Sequence, residues 1–178
     1  MQKPQRIILA SDISGLGKVA VTAALPLFAL CQLEVAVLPT VLLSSHTGGF
    51  SDVFIEDYTS GMQAFLKQWQ SLNIQFSGLV TGYLKSSQQI ASLMKFKEKE
   101  EIPLIVDPIM GDNGKLYQGF DTSYVDSMRS LCQKADLILP NLTEACLLAE
   151  IAYEDKVLTE EFLQLLTQRL ATIVGTRR

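Results

Sequence analysis

The sequence predicts a single α/β domain with a mainly parallel central sheet. Short apolar runs that end at a proline or a polar residue alternate with longer segments whose apolar residues recur at helical spacing. No internal repeat and no linker-like stretch interrupts this alternation. The length of 178 residues fits one domain with its own core, since domains run to roughly 100–200 residues.

Composition and charge restrict the classes of function. Apolar residues make up 48% of the chain and charged residues 19%, which is typical of a globular protein. The net charge of −4, with no basic cluster before the two final arginines, argues against a nucleic-acid partner. Three widely separated cysteines form neither a disulfide framework nor a zinc-ligand pattern. No signal peptide is recognisable and no apolar run approaches the ~20 residues of a membrane span, so we expect a cytoplasmic protein without a membrane partner.

The amino-terminal segment predicts a strand, a turn, a helix and a second strand. The apolar run 6–10 passes into the polar, glycine-containing segment 11–18, which predicts a strand followed by a tight turn. A helix is expected over about 18–30, with a kink or an early end at Pro26. Residues 34–38 predict a second strand that a proline ends. The turn lacks the glycine spacing of a P-loop or a dinucleotide site, so by itself it is a weak indication of an anion site.

His46 is the single histidine and follows this second strand. It stands among two serines, a threonine, two glycines and a phenylalanine, a composition typical of a pocket-lining loop. Imidazole serves as acid, base or hydrogen-bonding group. A loop histidine with structural contacts alone fits the same residues, so both interpretations stay open.

The middle of the chain predicts two helices around a short strand. Apolar and aromatic residues at helical spacing predict a helix over about 59–72. Residues 78–82 predict a strand that ends at Tyr83, which suits a pocket or a structural role equally well. Ser86 is the expected N-cap of a helix that runs to about residue 99.

The apolar run 104–106 ends abruptly at Asp107. A continuous Leu-Ile-Val run is typical of a strand buried on both faces, and Pro108 ends it. Gly111 and Gly114 then allow tight turns or the close approach of a ligand. Ligands of open α/β sheets bind beyond the carboxyl ends of the strands, so Asp107 is a candidate site carboxylate. A capping or solvated aspartate fits the same pattern.

The carboxyl-terminal segment continues the alternation. A helix is expected over about 121–132, a strand over 135–139 and a helix over 145–151. Thr143 is a candidate cap of that helix, and Glu144 in its first turn complements the helix dipole. A last helix is expected over 159–172, and residues 171–178 suggest the start of a further strand.

Polar residues at several strand ends are expected to meet at one edge of the sheet. Asp107 and Glu144, with the amide of Asn141, would there suit a Mg²⁺ ion held directly or through its waters. Phosphoryl transfer needs such a metal and positioning groups, with little covalent chemistry from the protein.

At this point the chain resembles the pyridoxal kinases of the ribokinase-like superfamily, over about residues 7–150. The paired motifs Asp-Pro-x-Met-Gly and Asn-Leu-x-Glu are the specific part of the resemblance. The matching segments, in family order, are Ser-Asp-Ile-Ser-Gly at 11–15, Ser-His-Thr at 45–47, Gly-Tyr-Leu at 82–84, Asp-Pro-Ile-Met-Gly at 107–111 and Pro-Asn-Leu-Thr-Glu at 140–144.

The resemblance implies a ribokinase-like three-layer α/β/α fold and the ATP-dependent phosphorylation of the 5′-hydroxyl of pyridoxal, pyridoxamine or pyridoxine. It implies ATP and Mg²⁺ as cofactors, small molecules as partners, and a homodimer. The substrate-pocket residues that it implies are Ser11, Asp12, His46, Thr47 and Tyr83. The residues that it implies for the phosphates are Asp107, Asn141 and Glu144, with Asp107 and Glu144 also serving the metal. Asp12 also matches the turn of the related hydroxymethylpyrimidine kinases.

One family motif is missing. Family members carry a later Gly-x-Gly-Asp motif whose aspartate accepts the proton of the attacking hydroxyl, and this sequence contains none. We therefore expect residues 1–178 to form one ribokinase-like domain without its C-terminal part and without an evident general base, so that its competence as a catalyst is in question. Two alternatives stay open: a hydroxymethylpyrimidine kinase, and a non-catalytic vitamin-binding or interaction protein.

Overall fold

The computed structural model of the protein describes residues 5–153 and 159–174. Within these ranges strands and helices alternate along most of the chain. The strands are β1 (Arg6–Leu16), β2 (Glu34–Ser45), β3 (Ile55–Asp57), β4 (Gly78–Thr81), β5 (Leu104–Val106), β6 (Gly111–Asp112), β7 (Lys115–Leu116) and β8 (Leu137–Ile138). The helices are α1 (Ala20–Leu30), α2 (Thr59–Ser71), α3 (Ser87–Glu100), α4 (Thr122–Cys132), α5 (Leu142–Ala149) and α6 (Glu160–Ile173).

Six strands form one sheet in the order β3-β2-β1-β4-β5-β8. Its neighbours pair in parallel, except that β3 adds an antiparallel edge to β2. Parallel crossovers are right-handed. Helix α1 connects β1 to β2 and lies on one face of the sheet. Helices α2, α3 and α4 precede β4, β5 and β8, which are added in the opposite direction along the sheet, so these helices lie on the other face. The predicted α/β fold with a mainly parallel sheet flanked by helices is confirmed.

The main core lies between the sheet and the layer of α2, α3 and α4. The register partners Ile8, Leu79 and Leu104 are each at most 1% exposed on this face. The neighbouring row of register partners points to the opposite face, and it begins at Leu9, which is 5% exposed. It passes through half-buried residues of β4 and β5 and ends at Leu137, which is 47% exposed. Parallel sheets normally bury both faces, so in the described ranges the second face is open towards β8.

The first turn was predicted wrongly. Residues 11–16 continue β1 as a strand, and the helix begins only at Ala20. The reason is that β2 is also longer than expected, so that Ile13 pairs with Leu42 and Leu16 pairs with Ser45. Most of the glycine-containing segment is therefore an extension of the sheet, and three residues separate this extension from the start of α1.

Two prolines interrupt less than the sequence suggests. Helix α1 continues through Pro26 and ends at the expected Leu30, so of the two outcomes expected at this proline, a kink or an early end, the early end is wrong. Strand β2 passes Pro39, which lies before the first residue that pairs with β3 and beside a β-bulge, where strands tolerate proline. In this bulge two residues of β2, Thr40 and Val41, lie opposite the single residue between Ser11 and Ile13 of β1.

The later elements keep their order and change their bounds. Strand β8 comprises only Leu137 and Ile138, and α5 begins at Leu142, earlier than expected. Its N-cap is Asn141 and not Thr143. Helix α6 extends to Ile173, so the further strand does not start at 171, and residues 175–178 lie outside the described ranges.

Candidate functional site

Ser11 and Asp12 lie side by side in the middle of β1. Both are buried, at 3% and 7% exposure, and the Ser11 hydroxyl donates to Asp12 Oδ1 over 3.1 Å. Burial raises the pKa of Asp12, and the hydrogen bond from Ser11 opposes this shift only in part. Gly82 packs against the pair, since a Cβ there would lie 2.5 Å from Ser11 Oγ. The site therefore needs a glycine at the end of β4.

Tyr83 follows Gly82 and joins the same group. Its carbonyl accepts a hydrogen bond of 2.7 Å from the Thr40 hydroxyl, and its ring centroid lies 5.8 Å from that of Phe120. Burial raises the pKa of Tyr83, and the negative charges of Asp12 and Asp57 raise it further. The structure thus brings Ser11 and Asp12, from the middle of β1, together with Tyr83 just beyond the carboxyl end of β4.

His46 and Thr47 stand apart from that group. The His46 amide donates to Leu16 O over 3.3 Å, and its ring meets Phe50 edge-on at a centroid distance of 4.8 Å. Leu16 lies five residues beyond Ser11 along β1, roughly 17 Å at the rise of a strand. Thr47 is exposed. Within the described residues no hydrogen bond or ring contact joins His46 or Thr47 to the Ser11 group, so their pocket role stays a prediction.

Asp107 lies directly after β5, as the sequence predicts. Its amide donates to Thr81 O over 3.0 Å. Its half-buried carboxylate accepts no hydrogen bond from the residues that the structure describes. Burial raises the pKa of this carboxyl, with no hydrogen bond to offset the shift. Asp107 is therefore a carboxylate with free coordination capacity at the sheet edge.

Asn141 and Glu144 form a capping box at the start of α5. Asn141 Oδ1 accepts from the Glu144 amide over 3.0 Å, and Glu144 Oε2 accepts from the Asn141 amide over 2.9 Å. The same side chains hold the segment after β5: Glu144 Oε1 accepts from the Met110 amide over 3.2 Å, and Asn141 Nδ2 donates to Gly111 O over 2.9 Å. Capping and anchoring of this segment are thus the observed roles of both residues.

Burial and the negative charge of Asp107 both affect the pKa of Glu144. Burial is the main cause that raises its pKa, hydrogen bonds from backbone amides oppose the shift, and the negative charge of Asp107 raises it further. Two neighbouring carboxylates in a partly dehydrated place repel each other, which a bound cation would relieve. The carboxylates of Asp107 and Glu144 are the kind of oxygen donor that would suit a Mg²⁺ ion, although the Glu144 oxygens already accept backbone hydrogen bonds. No cluster of three or more His, Cys, Asp and Glu side chains suited to a metal occurs within 5–153 and 159–174.

Some contacts around the site carry no sequence signal. Thr143 Oγ1 accepts from the Gly114 amide over 2.9 Å and so fixes the hairpin of β6 and β7. The Tyr124 hydroxyl donates to Leu84 O over 2.6 Å and supports the segment that contains Tyr83. These contacts join residues 29 and 40 positions apart, which periodicity and local motifs do not reveal.

A cavity of about 190 Å³ lies elsewhere, at the amino end of the parallel strands. Its lining includes Trp69, Phe76 and Phe96 and none of the predicted site residues. Ligands of such sheets bind at the carboxyl edge, so we place the site at Asp107 and not in this cavity. None of the helices in the described ranges is long and apolar enough to cross a bilayer.

Comparison with known proteins identifies the family of this chain. A sequence profile described as phosphomethylpyrimidine kinase matches residues 32–175. A Saccharomyces cerevisiae protein provisionally named as a pyridoxal kinase is 30% identical over 141 residues, which are 74% of this chain and 44% of the relative.

Two solved structures are similar over nearly the whole chain. Pyridoxal kinase from Lactobacillus plantarum is 35% identical, with a TM-score of 0.90 over 97% of this chain and 61% of its own. The same values hold for a Bacteroides thetaiotaomicron protein, provisionally named as a phosphomethylpyrimidine kinase and crystallised with pyridoxal. This chain thus spans about three fifths of the solved proteins and less than half of the yeast relative. The resemblance to pyridoxal kinases is confirmed, and the chain belongs to the phosphomethylpyrimidine kinase family.

Proposed function

We propose that this chain carries the substrate and metal-phosphate part of an ATP-dependent kinase that phosphorylates the 5′-hydroxyl of pyridoxal, pyridoxamine or pyridoxine. One observation carries the proposal: Ser11 and Asp12 of β1 lie level with the carboxyl ends of β4, β5 and β8, and Tyr83, Asp107 and Glu144 come after these three strands. The pyridoxal kinase relative at 35% identity supports it.

The pocket residues would bind the pyridine ring and its substituents. Ser11 and Asp12 supply a hydroxyl and a buried carboxylate, and Tyr83 supplies an aromatic wall beside them. A partly buried aspartate and tyrosine with raised pKa values are typical of functional sites. His46 and Thr47 would act at the rim of this pocket.

ATP would bring its phosphates to the Asp107 side of the site. When bound, Mg²⁺ neutralises charge on the phosphate oxygens and aligns them. Asp107 would hold this ion, and Glu144 would orient one of its waters while fixing the segment at Met110 and Gly111. Asn141 would keep Glu144 in place through the capping box.

We also propose that residues 1–178 belong to one ribokinase-like domain and that the protein is a homodimer. We propose a cytoplasmic location, with neither a nucleic-acid nor a membrane partner. The net charge of −4 supports the first of these exclusions. A hydroxymethylpyrimidine kinase is the second candidate activity, since the matching profile carries a phosphomethylpyrimidine kinase description.

The test is incubation of the purified 178-residue chain with MgATP and pyridoxal, with pyridoxal 5′-phosphate scored by mass. Asp107→Asn should abolish product, whereas Asp126→Asn, on an exposed side chain of α4, should not. Product that both variants form equally would contradict the role of Asp107. Pyridoxal binding without product would indicate a vitamin-binding protein. Stabilisation against thermal unfolding by hydroxymethylpyrimidine, and not by pyridoxal, would favour the second candidate.

A further inference from the structure

Gln89 is a polar side chain in an apolar place. It lies in the first turn of α3 and is 0% exposed, on a helix that otherwise buries Ile90, Leu93 and Phe96. Burying an amide costs free energy unless its hydrogen bonds are made. In this chain each of its polar atoms has a partner, so the position demands glutamine for its bonds and not for its volume.

The amide of Gln89 joins three separate segments. Its Oε1 accepts from the Lys85 amide over 2.8 Å, while its Nε2 donates to Thr40 O over 2.8 Å and to Thr59 Oγ1 over 2.9 Å. Because a backbone amide faces one end and a carbonyl faces the other, the orientation of the side-chain amide is fixed by its partners. Asp57 Oδ1 lies near the same nitrogen, at 3.4 Å.

These bonds converge on the segment that contains Tyr83. Thr40, in the bulge of β2, accepts from Gln89 with its carbonyl and donates to Tyr83 O with its hydroxyl, over 2.7 Å. Gln89 thus acts on Tyr83 through Thr40 and on Lys85 directly. Bulges frequently re-aim a side chain next to a site, and this one directs the threonine hydroxyl at the tyrosine.

We propose that Gln89 is a positioning residue that sets the Tyr83 wall of the pyridoxal pocket by holding Thr40 and Lys85 on either side of it. The inference rests on the proposed function, because the pocket is part of that function. A positioning role differs from a purely structural role in one respect. Loss of the Gln89 hydrogen bonds changes the affinity of the folded protein for pyridoxal as well as the stability of the protein.

The test compares Gln89→Met with two controls by calorimetric titration with pyridoxal and by thermal unfolding. Gln70→Met removes another glutamine, whose Nε2 donates to Glu100 Oε1 over 3.2 Å at the far end of α2 and α3. Leu93→Ala destabilises α3 by removing a fully buried apolar side chain, and it removes none of the Gln89 hydrogen bonds. We expect Gln89→Met to weaken pyridoxal binding about five- to tenfold, the factor of roughly one misplaced hydrogen bond, and both controls to retain the wild-type affinity.

Amide exchange at Lys85 gives a readout that needs no ligand. Its amide loses its acceptor in Gln89→Met, so exchange should accelerate in that variant and not in Leu93→Ala measured at equal stability. Wild-type affinity in Gln89→Met, or an equal loss in Leu93→Ala, would overturn the positioning role while leaving the proposed function intact. A wild-type chain that binds no pyridoxal would instead overturn the proposed function, and this inference with it.

Discussion

Asn141→Ala probes the junction between α5 and the segment after β5. Asn141 makes two side-chain bonds: Oδ1 caps α5 at Glu144, and Nδ2 holds Gly111 O of β6. Alanine removes both. The variant therefore loses a helix cap and a tertiary contact in one substitution, and the two losses add.

The magnitude follows from the two bonds. Loss of an asparagine N-cap costs about 0.5–2 kcal/mol, and loss of a hydrogen bond costs about 0.5–1.5 kcal/mol. We expect the free energy of unfolding to fall by about 2 kcal/mol. In a domain of this size that lowers the melting temperature by about 4–8 °C.

Urea unfolding of Asn141→Ala and Thr159→Ala separates the two contributions. Thr159 caps α6 through the Phe162 amide over 3.2 Å, and no other hydrogen bond of its side chain occurs within the described ranges. Thr159→Ala should therefore cost only a cap. If Asn141→Ala costs no more than Thr159→Ala, at equal urea dependence of the two transitions, the contact with Gly111 contributes nothing and the reasoning is refuted.

Three further substitutions test the site. Burial raises the pKa of Asp107 above its ordinary 3.8, so the stability that its neutral form contributes is complete below that pH and is lost as pH rises through the folded pKa. Asp107→Asn should therefore stabilise the ligand-free chain more at pH 8 than at pH 4.5 in urea unfolding, and an equal gain at both pH values would contradict this. Gly82→Ala, whose Cβ would lie 2.5 Å from Ser11 Oγ, should lose pyridoxal binding in calorimetry, and unchanged affinity would place the pocket elsewhere. Tyr124→Phe leaves Leu84 O without its hydroxyl donor and should lower the free energy of unfolding by about 1–3 kcal/mol, which an unchanged urea midpoint would exclude.

The order of elements was predictable because periodicity and strand ends are local signals. Strand β5 and its terminal Asp107 are where the sequence places them, and Ser86 caps α3 as expected. The capping role of Glu144 also follows from local spacing. The largest error in the strand bounds depends on a partner distant in sequence. Strand β1 extends to Leu16 because β2 runs beside it, and no residue of β1 by itself predicts that extension.

The burial of side chains was less predictable than the order of strands and helices. Residues 137–139 are Leu-Ile-Leu, which is typical of a strand covered on both sides, yet Leu137 is 47% exposed and Leu139 is 54% exposed. The apolar side chains of a strand show which faces of that strand are able to be buried. Which face is covered depends on the helices that reach it, and in the described ranges these lie over the other end and the other face of the sheet.

The bulge in β2 makes the length of this strand adjustable at one point. Ile13 pairs with Leu42 after the bulge, and Ser11 pairs with Pro39 before it. Removing one of the two bulged residues would leave both pairs opposite each other, because only the surplus residue disappears. A one-residue deletion there would preserve the register of the strands yet remove or redirect the hydroxyl that holds Tyr83. At this position a change of strand length would alter the support of Tyr83, while the sheet itself keeps its pairing.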